Sequence, residues 1–246
     1  MKITKLFLLL AVMAVAVSCS KDDDPNPQVE NAKLSFAGQT DIVPVPSGIA
    51  NSDDPMAKTV AASLEMLNSM TTNFSYFTPP AGAQKSNDLI TVSSGRTAAR
   101  KGVVWYWSNT SGGQYVGVAY QVVEEDDKYT FEIFMKLEEQ AEWSRFVYAE
   151  ERKDRSAGYF ALFFGDGEEQ MRWAWTRKGD DVTFKVTQMG ELKLDIQANN
   201  KTKAGSLVTY EGGIKYYEIT WDGAGSGTWA QYDDTGSVVE EGFWEA

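Results

Sequence analysis

Residues 171–188 read Met171-Arg172-Trp173-Ala174-Trp175-Thr176-Arg177-Lys178-Gly179-Asp180-Asp181-Val182-Thr183-Phe184-Lys185-Val186-Thr187-Gln188. Large apolar side chains fall at every second position on both sides of Lys178-Gly179-Asp180-Asp181. A period of two marks a strand with one buried face, and a Gly-Asp turn between two such runs marks an antiparallel hairpin. The same alternation recurs at Val103/Trp105/Trp107 and at Tyr129/Phe131/Ile133/Met135/Leu137. Turn chemistry punctuates the rest: Asn109-Thr110-Ser111-Gly112-Gly113, Glu125-Asp126-Asp127-Lys128, Arg152-Lys153-Asp154-Arg155, Gly165-Asp166-Gly167, Asp222-Gly223 and Asp233-Asp234-Thr235-Gly236. Turns this close together make each strand's partner its neighbour in sequence. Residues 89–246 therefore predict about ten to twelve strands in one antiparallel meander, enough to make a sheet curl. The fold class read here is mainly β: a long curved antiparallel meander, half-barrel or barrel-like, with one N-terminal amphipathic helix packed on it.

That helix is expected at about 56–74. Asn51-Ser52-Asp53-Asp54-Pro55 supplies capping residues and a proline suited to a first turn. Met56, Val60, Leu64, Leu67, Met70 and Phe74 then recur at three- and four-residue steps, which puts them on one stripe. Ala57, Ala61 and Ala62 keep the neighbouring surface small, and Pro79-Pro80 bars continuation. Packing against the sheet is the expected role of the stripe; a movable plug over a ligand cavity is the alternative.

Ahead of the helix the sequence carries an address. Lys2 and Lys5 precede an unbroken apolar run, Leu6 to Val17, too short to span a bilayer, which needs about 20 residues. Residues 1–18 read as a secretory signal ending at Ala16-Val17-Ser18-Cys19. That tetrapeptide resembles the lipobox of bacterial lipoproteins, with Ala16 where Leu is usual, and the resemblance implies acylation of Cys19. Ser20-Lys21-Asp22-Asp23-Asp24 is similar to the tract that marks surface-exported lipoproteins of Bacteroidota. Residues 19–55, acidic and rich in proline, read as a tether, with a short extended segment at Lys33-Leu34-Ser35-Phe36. Residues 56–246 read as a single β-rich domain. Near its end, Gly227-Thr228-Trp229-Ala230-Gln231-Tyr232, an Asp-rich turn and Gly242-Phe243-Trp244 are similar to MORN-like hairpin repeats, with Trp229 and Trp244 as neighbours on adjacent strands. Taken whole, the chain resembles β-rich lipoproteins of Bacteroidota. The resemblance implies a lipid-anchored place on the outer membrane, facing outward, and supplies no activity.

Composition narrows the chemistry. The chain has 246 residues, no His, one Cys, 35 acidic against 23 basic side chains and a formal charge of −12. Without His there is no Ser-His-Asp or Cys-His nucleophile and no imidazole base. One Cys makes neither an internal disulfide nor a thiolate metal cluster. The negative balance argues against nucleic acid, whose phosphates need clustered Lys and Arg; Arg96, Arg100 and Lys101 read as solvated. No cofactor motif appears, and no metal site is expected. The turns 165–168 and 233–236 hold calcium-type oxygens, but their Asp and Gly are those a turn requires and their spacing is not that of an EF-hand.

Carboxylate chemistry and aromatic recognition stay open. Glycoside hydrolysis needs two carboxyls facing one bond. The pairs Glu124-Glu125, Glu138-Glu139, Glu150-Glu151, Glu168-Glu169 and Glu240-Glu241 are adjacent in sequence and would point to opposite faces of a strand. Glu132, flanked by Phe131 and Ile133, alternates onto the polar face. The eight tryptophans all fall in predicted strands, and Trp105/Trp107 and Trp173/Trp175 are two apart, so each pair shares a face. Indoles on one face of a curved sheet serve as core, or as a platform on which sugar rings stack. Trp105, Trp107, Trp173, Trp175, Trp229 and Trp244 are the candidate ligand-binding residues, with Cys19 for lipidation and no catalytic residue. The function expected is non-catalytic binding of a glycan or other extracellular ligand by a lipoprotein anchored to the membrane through its acyl chains. The alternative is a carrier of a lipid or other amphiphile in a lipocalin-like cavity, ahead of a carboxylate glycoside hydrolase or a structural envelope protein.

Overall fold

The computed structural model describes residues 27–34, 43–73, 78–91, 101–111, 114–137, 142–165 and 167–246. The signal, the lipobox and Cys19 lie outside them, as do Arg96, Arg100, Phe74 and Asp166. Among the described residues no helix is long and apolar enough to cross a membrane.

Among the described residues thirteen strands form one sheet in strictly sequential order. They are β1 (Gln84–Ser86), β2 (Lys101–Ser111), β3 (Gln114–Glu124), β4 (Lys128–Leu137), β5 (Ser144–Arg152), β6 (Ala157–Phe164), β7 (Glu168–Lys178), β8 (Asp181–Gln188), β9 (Glu191–Asn199), β10 (Gly205–Glu211), β11 (Ile214–Trp221), β12 (Gly227–Tyr232) and β13 (Val238–Trp244). All neighbours are antiparallel, and β1 does not pair with β13, so the meander is open and no barrel forms. Most of the turns read from the sequence fall between strands; Asn109, Thr110 and Ser111 instead end β2, and Gly112 and Gly113 lie outside the described residues. In the tightest turns, Lys178 faces Asp181 and Gln188 faces Glu191 across two-residue loops.

Among the described residues three helices precede the long strands: α1 (Pro27–Glu30), α2 (Ser47–Ala50) and α3 (Pro55–Asn73). Asp54 caps α3, its Oδ1 accepting from the backbone N–H of Met56 at 2.8 Å and of Ala57 at 3.2 Å. Ala57, Val60, Leu64 and Leu67 form the buried stripe, with Met56 packed beside it. The partners are the alternate residues of the sheet's inner face, among them Val103, Phe131, Val182, Phe184, Ile196, Leu207 and Ile219. The stretch read as tether also reaches this core, because Val29, Val43 and Ile49 are buried in it.

A smaller cluster sits on the outer face. Val104, Ala119 and Phe134 are covered there by Leu89, Ile90, Tyr106 and Trp143. The sequence places the first strand at Leu89, but residues 88–91 form no strand. They lie instead as a strap across that face, where the Gln121 carboxamide brackets Ile90. Its oxygen accepts the Ile90 N–H at 2.7 Å, and its nitrogen donates to the Ile90 carbonyl at 3.4 Å. Asn68 of α3 holds Val43 in the same manner, at 3.2 and 3.0 Å. A side-chain amide thus supplies to a coil residue the two hydrogen bonds that a neighbouring strand would give.

Candidate binding site

The tryptophans divide by what stands opposite them. Register places Trp175 opposite Gly158, Trp221 opposite Gly205, Trp244 opposite Gly227 and Trp229 opposite Gly242. In each pair the indole lies over the glycine backbone: a Cβ at Gly158, Gly205 or Gly227 would stand 2.2–2.4 Å from ring carbons, and at Gly242 2.8–2.9 Å from the ring. A ring laid across a strand glycine covers backbone that would otherwise face water. The two Gly-x-Trp triplets of β12 and β13 interlock, each ring taking the other strand's glycine, so Trp229 and Trp244 lie diagonally on neighbouring strands. Trp244 Nε1 donates to the Gly225 carbonyl at 2.6 Å and Trp221 Nε1 to that of Lys203 at 3.0 Å.

All six candidate tryptophans belong to the inner face. Trp175 and Trp244 are buried, and Trp105, Trp107, Trp173 and Trp229 are half-buried against the same core. None stands out as an exposed ring; the most exposed large apolar side chains are Phe243 and Met189, each 71% exposed.

Only Trp105 among the six lines the inner cavity, a hollow of about 210 Å³. Its floor is two adjacent cross-strand rows. Trp105, Tyr120, Ile133 and Val147 run across β2 to β5, and Phe131, Ala149 and Phe160 run across β4 to β6. Trp105 and Tyr120 stack, with ring centroids 5.6 Å apart and planes 25° from parallel. Ala149, a single methyl between two phenylalanines, leaves space where a larger side chain would fill the row. The roof is the segment after α1, with Ala32, Lys33 and Leu34, together with Glu30, Thr78 and Pro79. The α3 stripe does not line the cavity, so the helix packs the sheet rather than plugging the hollow. Burial pushes the Tyr120 phenol above its ordinary value of 10.0, so it stays neutral at physiological pH.

A second, shallower hollow of about 540 Å³ is lined by Glu218, Thr220, Thr228, Trp229, Glu241 and Phe243 at the C-terminal hairpins.

The remaining candidates resolve into structural roles. Glu132 takes the outer face, as its alternation predicts, but is buried there beside the strap. Gln121 Nε2 donates to its Oε2 at 2.7 Å, and Arg145 meets its Oε1 at 2.7 Å. Glu150 accepts from Lys128 at 2.6 Å and from the Tyr148 hydroxyl at 3.0 Å. Arg172 lies over the Tyr159 ring at 4.1 Å and is held by Glu169. These groups build a lattice of alternating charge and ring on the outer face. The Asp233 carboxylate is spent on its own turn, with Oδ1 accepting from Thr235 and Ser237. That accounts for the turn without a calcium ion, and the shared hydrogen bonds hold the carboxyl below its ordinary value. Among the described residues no three acidic or thiol groups gather to hold a metal.

Sequence reasoning missed Tyr120, Ala149 and Phe160 as cavity residues. Each reads as an ordinary alternating strand position, and only register puts a small residue between rings. No protein-family profile and no curated protein sequence matches this chain.

Proposed function

We propose that this protein is a non-catalytic binding module of the outer membrane, anchored through acylated Cys19 and facing outward, that takes a small amphiphile into the inner cavity. The observation that carries the ligand class is the hollow itself: an apolar floor of Trp105, Tyr120, Phe131, Ile133, Val147 and Phe160, roofed in part by residues 30–34 with Thr78 and Pro79. Binding pockets of this character are mostly apolar with few polar groups, and those for drug-sized ligands begin at about 300 Å³. At about 210 Å³ the hollow suits a short apolar group rather than a whole lipid. No carboxylate pair in the outer-face lattice is left open for hydrolysis, since Glu132 and Glu150 each hold cations and donors.

The test is mass spectrometry of organic extracts from the purified protein, beside the variant Ala149→Leu, which fills the hollow. A small amphiphile from the first and none from the second supports the reading. No extractable ligand, together with apolar-probe binding unchanged by Ala149→Leu, overturns it. For the anchor, Cys19→Ala should release the protein from membranes; retention refutes it.

A glycan is the second reading, and the outer hollow at Phe243 favours it, because an exposed ring there lies among the Thr220 and Thr228 hydroxyls and two carboxylates. Glycan-array binding that Phe243→Ala abolishes would support that site.

A further inference from the structure

The charges around the inner cavity are few and unequal. Of the residues that line it, only Glu30 and Lys33 carry formal charge. Glu30 is already paired with Lys85 of β1. Lys33 has no ionic partner among the described residues, is exposed and stands at the roof. The mouth therefore offers one uncommitted cation on a protein whose formal charge is −12. Behind it the floor offers no charge, and the Thr78 hydroxyl is a further polar group at the roof.

We propose that the cavity's ligand is a single-chain anionic amphiphile, a monocarboxylate whose tail fills the apolar hollow and whose head pairs with Lys33. The inference rests on the cavity reading above and adds the head group and the length. At about 30 Å³ per water-sized group, 210 Å³ holds about seven such groups, which sets the tail near that of an eight-carbon acid. The head stays at the mouth, because a carboxylate on the floor would be desolvated with nothing to pair it. One cation also selects the charge: a multiply charged anion would meet the repulsion of the whole chain with a single counter-charge.

The experiment is calorimetric titration of the purified full-length protein with octanoate, 1-octanol and octylammonium, chains of equal length with three head groups. Octanoate should bind about fivefold more tightly than 1-octanol, the upper end of what an exposed ion pair delivers. Lys33→Gln should bring the two to equal affinity, and Lys33→Glu should turn the preference to octylammonium. Reversal of preference is a readout that loss of folding cannot mimic. Equal binding of octanoate and 1-octanol by the natural protein, or a ratio unmoved by Lys33→Gln, overturns the head-group inference and leaves the cavity reading in place. Binding of none of the three overturns both.

Discussion

Placing a methyl group on a strand glycine should cost stability where an indole lies close over it. The clean case is Gly242 of the last strand. The three atoms nearest a new Cβ there are all in the Trp229 indole, at 2.8–2.9 Å. Carbon atoms rest at about 3.5–4.0 Å, so the ring must retreat by about 0.7 Å. Trp229 is half-buried at the end of the sheet and has room to shift, so Gly242→Ala should cost about 1 kcal/mol, the low end of overpacking. Gly158 is the severe case. Its new Cβ would meet Trp175 Cζ2 at 2.4 Å and the Glu150 carbonyl at 2.5 Å, in mid-sheet with the ring 4% exposed. Neither neighbour can yield, and Gly158→Ala should cost about 3 kcal/mol or more. Gly117 is the control, because its nearest atom, Cη2 of Trp143, stands at 3.4 Å, and Gly117→Ala should fall within about 0.5 kcal/mol of the natural protein. Urea unfolding followed by far-ultraviolet circular dichroism reads all three without depending on indole fluorescence. The decisive step is the cycle with Trp229→Leu, in whose background the cost of Gly242→Ala should vanish. An unchanged cost in that background, or a Gly158→Ala variant as stable as Gly117→Ala, would refute the ring-on-glycine account.

Other expectations follow from single sites. Met189 sits at φ +50° ahead of Gly190 in a two-residue hairpin that favours Asn-Gly, so Met189→Asn should stabilise the protein by about 0.5–1 kcal/mol in the same urea assay. Gln121→Ala removes the bracket on Ile90 and strips Glu132 of a donor; it should cost about 2–3 kcal/mol and accelerate hydrogen exchange at the Ile90 amide. The Glu218 carboxyl is held below its ordinary value of 4.5 by hydrogen bonds from Lys215 and then from the Tyr232 hydroxyl. A depressed carboxyl stabilises the fold above that value and loses its contribution as pH falls below it. The stability gap between the natural protein and Glu218→Gln should therefore be full at pH 7 and close progressively below pH 4.5, measured by unfolding across that range.

Periodicity carried the architecture because a meander asks little of distant residues. Val182, Phe184 and Val186 face the core as their alternation predicts, and the Gly179-Asp180 loop folds where its chemistry points. The helix stripe was legible for the same reason, its apolar steps matching α3 through Leu67. Burial on the outer face was not legible. Glu132 obeys alternation and faces away from the core, yet Ile90 and Leu89 arrive from forty residues earlier to cover its neighbours. A period of two reports which face a side chain takes, and is silent on what later lies over that face. The site was legible in part: Trp105 was marked for its ring, but its partners Tyr120 and Ala149 depend on register across four strands. The glycines opposite the indoles were written in the sequence, but their pairing was not. Counting outward from the Asp233–Ser237 loop would set Gly227 against Phe243; the bulge at Gln231/Tyr232 slips the register by one and brings Gly227 to Trp244 and Gly242 to Trp229, a shift the sequence does not announce.

From β2 onward each strand is joined to the next by two to six residues, and it pairs only with its neighbours in sequence. Loop closure is therefore a small, repeated cost paid one hairpin at a time. Such a ribbon can assemble hairpin by hairpin, like a zip drawn from one end. Its last teeth, β12 and β13, share no ladder with the first, though Trp229 and Trp244 pack in the same core. A circular sheet has no such freedom, since its opening strand must wait for its closing one.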